Sequence, residues 1–197
     1  MPSPDSVPLE VLERAFQGLR AVLGQPDRLN PAHSDPLYYF VYRPQHALAV
    51  KRRLAGWMGI LRNDGFEPVR VSLADILREL IGESGRWDAW LELEHEAEPG
   101  DLNQAIHDVL TRNNALVNHV AEFIAAGSEK TLILLTETEL LHPYYRIHSV
   151  ETPLIGRILH PTVVFYPGRR EGQYGLHFLG FYPLDNAYRS TLVGGLE

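Results

Sequence analysis

Apolar positions along this chain change spacing repeatedly, and the changes outline its elements. Leu9, Leu12, Phe16, Leu19, Val22 and Leu23 recur at three- and four-residue intervals, which predicts a helix ending near residue 23. Ser6 is placed to cap it, Pro8 lies near its first turn, and Gly24 can end it. Gln25 to Pro36 is rich in Pro, Asn and Asp and reads as loop. Leu37 to Tyr42 is continuously apolar and aromatic, the pattern of a central parallel strand covered on both faces. Pro44 opens a second helix whose inner face is Ala47, Val50, Leu54, Trp57, Met58 and Leu61, with Asn63-Asp64-Gly65 ending it. Phe66 to Val71 is a second strand, and Ser72 with Asp75 makes a capping-box-like start to a helix over 73–82. A first βαβ unit is therefore complete by residue 71, with a right-handed crossover expected.

Trp87, Trp90, Leu91 and Leu93 suggest a short helix or packed loop before an acidic run that ends at Pro99-Gly100. Asp101 with Gln104 is read as the cap of the longest helix, 102–126. Its inner side is Leu102, Ile106, Val109, Leu110, Leu116, Val117, Val120, Phe123 and Ile124, and Gly127 closes it. Thr131 to Leu135 is a third buried strand, with Thr136, Glu137, Thr138 and Glu139 just past its end. Val150 to Leu159 reads as a short helix leading into a strand, Thr162–Tyr166, that stops at a Pro167-Gly168 turn. Arg169-Arg170-Glu171 then reads as a polar loop, Leu176 to Phe181 as a further apolar segment, and Asp185 to Arg189 as a turn tying it to the sheet. Helices and strands in this order argue for a three-layer α/β fold, a mostly parallel sheet flanked by helices, in a single domain over 1–197.

Composition narrows the chemistry. A chain of 197 residues can bury a real core without staples, and the absence of cysteine excludes disulfides, thiolate metal sites and cysteine nucleophiles. The amino terminus shows no basic segment followed by an apolar one, and the apolar runs fall far short of the roughly 20 residues that span a bilayer. A cytoplasmic protein without membrane contact is expected. A net charge of −7 argues against general nucleic-acid binding, although an arginine-rich face around Arg52, Arg53 or Arg169 keeps direct DNA binding as a minor alternative.

Catalytic signatures are missing. No phosphate loop of the G-x-x-x-x-G-K-[ST] kind and no G-x-G-x-x-G occurs, and Pro44 removes a backbone donor just after the first strand. No cofactor is expected. Glu94-His95-Glu96 could ligate a metal but reads more simply as a solvated acidic face. His107 and His119, twelve residues apart in one helix, would lie about 120° out of phase. Ser34, Ser128 and Ser149 sit in no nucleophile elbow. What remains is a set of candidate contact residues. Tyr144, Tyr145, Arg146 and His148 combine stacking, bidentate and titratable groups after a central strand. A plainer reading has the tyrosines covering the sheet edge and Arg146 pairing with Glu137 or Glu139. Arg169 and Arg170 could meet a phosphate or an acidic patch, or be ordinary loop charges. Tyr188 and Arg189 complete the set beside Asp185 and Asn186.

Thr162–Gly168, followed by Asp185-Asn186-Ala187-Tyr188-Arg189, resembles the carboxy-terminal signature of the BrxB family, where a strand ending Phe-Tyr-Pro-Gly precedes an Asp-Asn-Tyr-Tyr-Arg-like segment. The order of Phe40-Val41-Tyr42, Ser72-Leu73, Tyr144-Tyr145-Arg146 and Leu154-Ile155 extends the likeness over roughly 37–190, with 1–24 as an added helix. Ala187 and Arg169-Arg170 depart from the family's wording. The resemblance implies a non-enzymatic assembly component of a BREX bacteriophage-exclusion system, bridging a PglZ-like protein and other BREX components. It also implies a fold similar to P-loop NTPase domains that lack the nucleotide loop. The competing reading is a small enzyme or nucleotide sensor, with Arg146, His148 and Arg169 around one pocket at the carboxyl edge of the sheet.

Overall fold

The computed structural model describes residues 6–25, 35–93, 98–186 and 190–195. Five parallel strands form its centre: β1 (Leu37–Tyr42), β2 (Glu67–Ser72), β3 (Thr131–Thr136), β4 (Thr162–Glu171) and β7 (Thr191–Gly194), in the order β2-β3-β4-β1-β7. β5 (Gly175–Phe178) and β6 (Leu184–Asn186) add two antiparallel strands to the far end of β4. The helices are α1 (Ser6–Leu23), α2 (Ala47–Asn63), α3 (Leu73–Glu83), α4 (Trp87–Leu93), α5 (Pro99–Thr111), α6 (Ala115–Ala125) and α7 (Ile147–Glu151). The first βαβ unit joins strands that are not neighbours, because β3 and β4 lie between β2 and β1.

Burial explains the continuous apolar runs. Tyr38, Phe40, Tyr42, Val163 and Phe165 face α1 and α2 with Phe16, Leu19 and Trp57. Tyr39, Val41, Val164 and Tyr166 face α3, α5, α6 and α7 with Ile76, Leu116 and Ile147. Alternate side chains thus enter two cores, and both faces of β1, β3 and the first part of β4 are covered. The phasing of α2 holds, since Val50, Leu54, Trp57 and Leu61 are buried. So does the start of α3, where Ser72 Oγ accepts from the Asp75 backbone N–H at 3.1 Å.

Several expectations are corrected. The long helix over 102–126 is two helices, broken at Arg112–Asn114, where Asn113 and Asn114 take φ of 53° and 56°. Asparagine tolerates that left-handed backbone, and the break re-phases α6 so that Phe123 points outward. The start of α5 also differs: Glu98 holds the cap position without a side-chain bond, Pro99 fills the first turn, and Asp101 lies inside it. The helix expected over 150–159 begins earlier and ends earlier, as Ile147–Glu151 plus a 3₁₀ turn at Thr152–Leu154, with Gly156 at φ 77° beyond it. Finally, Pro167-Gly168 is no turn. β4 runs straight through it, and Arg169, Arg170 and Glu171 are strand rather than loop.

The reason lies in a change of partner. Pro167 is the last residue in register with β1, opposite Tyr42, and Gly168 is the first in register with β5, opposite Phe178. A strand leaving one sheet for another tolerates a proline, and its carbonyl still accepts from the Leu179 N–H at 2.8 Å. Gly168 is required by space, because a Cβ there would stand 2.4 Å from the His177 carbonyl oxygen. The true turn is at 172–174, with Gly172 at φ 63°. The segment 176–181 is accordingly a strand only to Phe178, and Asp185-Asn186 belongs to β6. β7, formed by Thr191-Leu192-Val193-Gly194 against β1, had no counterpart in the sequence reading. Residues 187–189 lie outside the described residues.

Candidate functional site

Past the end of β3 the chain places Glu137 in the left-handed region, at φ 60° and ψ 34°. This conformation costs a non-glycine residue about 1–2 kcal/mol. What holds it is a set of charge-assisted contacts. Arg70 Nη2 donates to Glu137 Oε2 at 2.7 Å, Lys51 Nζ stands 3.1 Å from Oε1, and the Ser72 hydroxyl donates to the same carboxylate. Partial burial alone would raise the Glu137 carboxyl. The Ser72 hydroxyl, Lys51 and Arg70 outweigh that and hold it below the ordinary carboxylate range. Lys51 also reaches Glu139 at 3.5 Å, while Glu139 Oε2 is buried with no partner among the described residues. A cleft of about 480 Å³ opens over this cluster, walled by Tyr42, Val50, Leu54, Met58 and Phe165. Burial, then Glu139 and Glu137, push the Tyr42 phenol well up, so it stays protonated there.

A second constellation joins the 142–148 segment to the turn after β5. The Arg146 guanidinium carbon lies 4.8 Å from the centre of the Tyr182 ring. His142 Nδ1 and the Tyr182 hydroxyl are 2.6 Å apart, and Phe181 stacks on Tyr182 with ring centres 4.8 Å apart. Phe181 is 65% exposed. Tyr144 and Tyr145 turn the other way, packing partly buried on the α5 side, where His107 Nδ1 meets the Tyr144 carbonyl at 2.8 Å and stacks on Tyr145. Beneath them Glu151 is a buried carboxylate that accepts from the Tyr39 hydroxyl and from Ser190 Oγ at 3.0 Å, with His148 Nδ1 at 3.5 Å. Burial, then Glu151, hold the Tyr39 phenol far above its usual range.

The contact residues expected from sequence therefore separate. Arg146 pairs with neither Glu137 nor Glu139 but covers an aromatic ring, since Lys51 and Arg70 already occupy Glu137. His148 points to the buried Glu151, and Tyr145 serves the core. Arg170 braces the hairpin turn by donating to the carbonyls of Gly172 and Gln173, whereas Arg169 is exposed and lines a different cleft. Arg146, His148 and Arg169 do not surround one pocket: neither of the first two lines the cleft that holds Arg169. Tyr188, Arg189 and the acidic tract Glu94-His95-Glu96 lie outside the described residues. Sequence reading missed Lys51, Arg70 and Ser72 as partners of Glu137. The signal was available only as polar residues at the ends of β2 and β3, because nothing local fixes which strands are neighbours.

Among the described residues no helix is long and apolar enough to cross a membrane. Compared with known families, residues 69–193 match the family model described as BREX protein BrxB. The match starts in β2, ends in β7 and covers more than half of the chain. No curated protein and no solved structure matches it.

Proposed function

Because the chain belongs to the BREX protein BrxB family, and is thereby a component of a BREX phage-defence system, we propose that it is a non-enzymatic assembly component that bridges a PglZ-like protein and other parts of the complex. The observation that carries this reading is the exposed Phe181, stacked on Tyr182 beside Arg146. Aromatic residues and arginine anchor protein interfaces, and a large apolar side chain left in water on a rigid base suits such a contact. Leu184, 45% exposed on β6, and Tyr174, 42% exposed before β5, extend the apolar surface of the same appended hairpins.

A non-catalytic role is supported by the state of the charges past β3. Lys51, Arg70 and Ser72 converge on the Glu137 carboxylate, which ties these groups into stabilising a turn. We read the sheet as a P-loop NTPase-like sheet without its nucleotide loop. Support comes from the turn after β1, a 3₁₀ segment at Pro44–His46 whose first residue has no N–H to offer a phosphate.

The experiment is a pull-down with this chain as bait, at moderate salt, from cells that express the neighbouring genes. A PglZ-like protein recovered in fixed ratio is the expected result. Folded bait that recovers no BREX component contradicts the proposal.

A further inference from the structure

A cleft of about 1000 Å³ lies outside the carboxyl ends of β1 and β7, beside the point where β4 changes partner, walled by α1, the residues after β1 and the turn after β5. Ligands of open α/β sheets bind in crevices at this end of the strands. Its charge is one-sided. Arg14, Arg43, His46 and Arg169 line it, and no Asp or Glu does among the described residues, in a chain whose net charge is −7. Such a concentration of one sign focuses the local field on an anion. The volume stands at the upper end of small-molecule sites, roughly 300–1,000 Å³, and far exceeds what a lone inorganic anion fills. Val11, Leu179 and Val193 give the rest of the wall an apolar character that suits a flat organic group.

We propose that this cleft binds a nucleoside di- or triphosphate without hydrolysing it, the phosphates held by Arg14 from α1 and Arg169 from β4, and the nucleoside by the apolar wall. The mode differs from a phosphate loop. Guanidinium side chains replace backbone N–H groups, which fits the proline at residue 44. Arg169 is free to turn inward, since its contact with Glu171 is a 3.4 Å surface pair with side chains 60% and 55% exposed. Of the residues behind the partner proposal, Arg146 is not part of this cleft but Phe181 lies on its wall, so the variants used here leave Phe181 unchanged.

The test is thermal unfolding of the purified full chain with ATP, pyrophosphate, adenosine, or sodium sulfate at matched ionic strength, followed by titration calorimetry. ATP is expected to raise Tm in a saturable way, pyrophosphate to give part of that shift, and adenosine none. An Arg14→Glu/Arg169→Glu double variant with a wild-type circular dichroism spectrum should bind ATP at least tenfold more weakly. Should it fail to fold, Arg14→Gln on the exposed face of α1 carries the same expectation at smaller size. No shift with millimolar ATP overturns the proposal. So does a sulfate shift equal to that of ATP, a pyrophosphate shift equal to it, or a folded variant that binds like wild type.

Discussion

Glu137 shows how a single residue is held against its own backbone preference. Its carboxylate is kept ionised by Ser72, Lys51 and Arg70 although burial opposes this. Glu137→Gln is expected to lower stability by about 1–2 kcal/mol at neutral pH. The sign with pH follows from the depressed native value. Such a carboxylate stabilises fully above its unfolded pKa of about 4.3 and loses that contribution as pH falls through the lower folded value. Urea unfolding from pH 7 down to pH 3 should therefore show the gap between wild type and Glu137→Gln closing only below about pH 4.3. A second pair of substitutions separates partnered from unpartnered phenols in the core. Tyr39→Phe takes a donor from the buried Glu151 and should cost about 1–3 kcal/mol. Tyr166→Phe removes a buried hydroxyl that has no partner among the described residues, so it should leave stability unchanged or raise it by up to about 1–3 kcal/mol. Equal losses in the two variants would contradict this account of Glu151.

Elements were legible where one period dominated. β1, β3 and the opening of β4 read as strands because both their faces are buried, and α2 and α3 read as helices because their apolar phase and the Ser72 cap agree. Three kinds of information were lost. Asn113-Asn114 was swallowed by a long apolar phase that continues on both sides of the break. Pro167-Gly168 looked like a stop because local rules do not see that a strand can change partners in mid-course. β7 is four residues long and partly exposed, too short for periodicity to reveal. Its place depends on a glycine: Gly194 has φ 80°, and a Cβ there would stand 2.6 Å from the Val41 carbonyl oxygen. Gly194→Ala should cost about 2–4 kcal/mol from strain and overlap together, read by denaturant midpoint. It should also raise amide exchange in β7 before the rest of the sheet.

For the molecule as a whole, the fold class followed from the order of elements, but the site did not. Which loops meet at the carboxyl edge depends on the β2-β3-β4-β1-β7 order, and no local spacing encodes that order. Hence Arg146, His148 and Arg169, drawn together by their common place after strands, end at three different tasks. The chain that results is a BrxB-family α/β protein with an appended antiparallel hairpin pair, an exposed aromatic on its turn and an ionic cluster centred on Glu137 at the sheet edge. On the proposed assembly role, the turn bearing Phe181 is the surface that would meet a PglZ-like partner. The most direct measurement is the affinity of the purified chain for that partner, compared with a Phe181→Asp/Arg146→Glu variant whose melting temperature matches wild type. Saturable binding at fixed ratio by wild type and a loss of at least tenfold, about 1.4 kcal/mol, in the variant are expected. No binding by folded wild type, or equal binding by the two proteins, would contradict it.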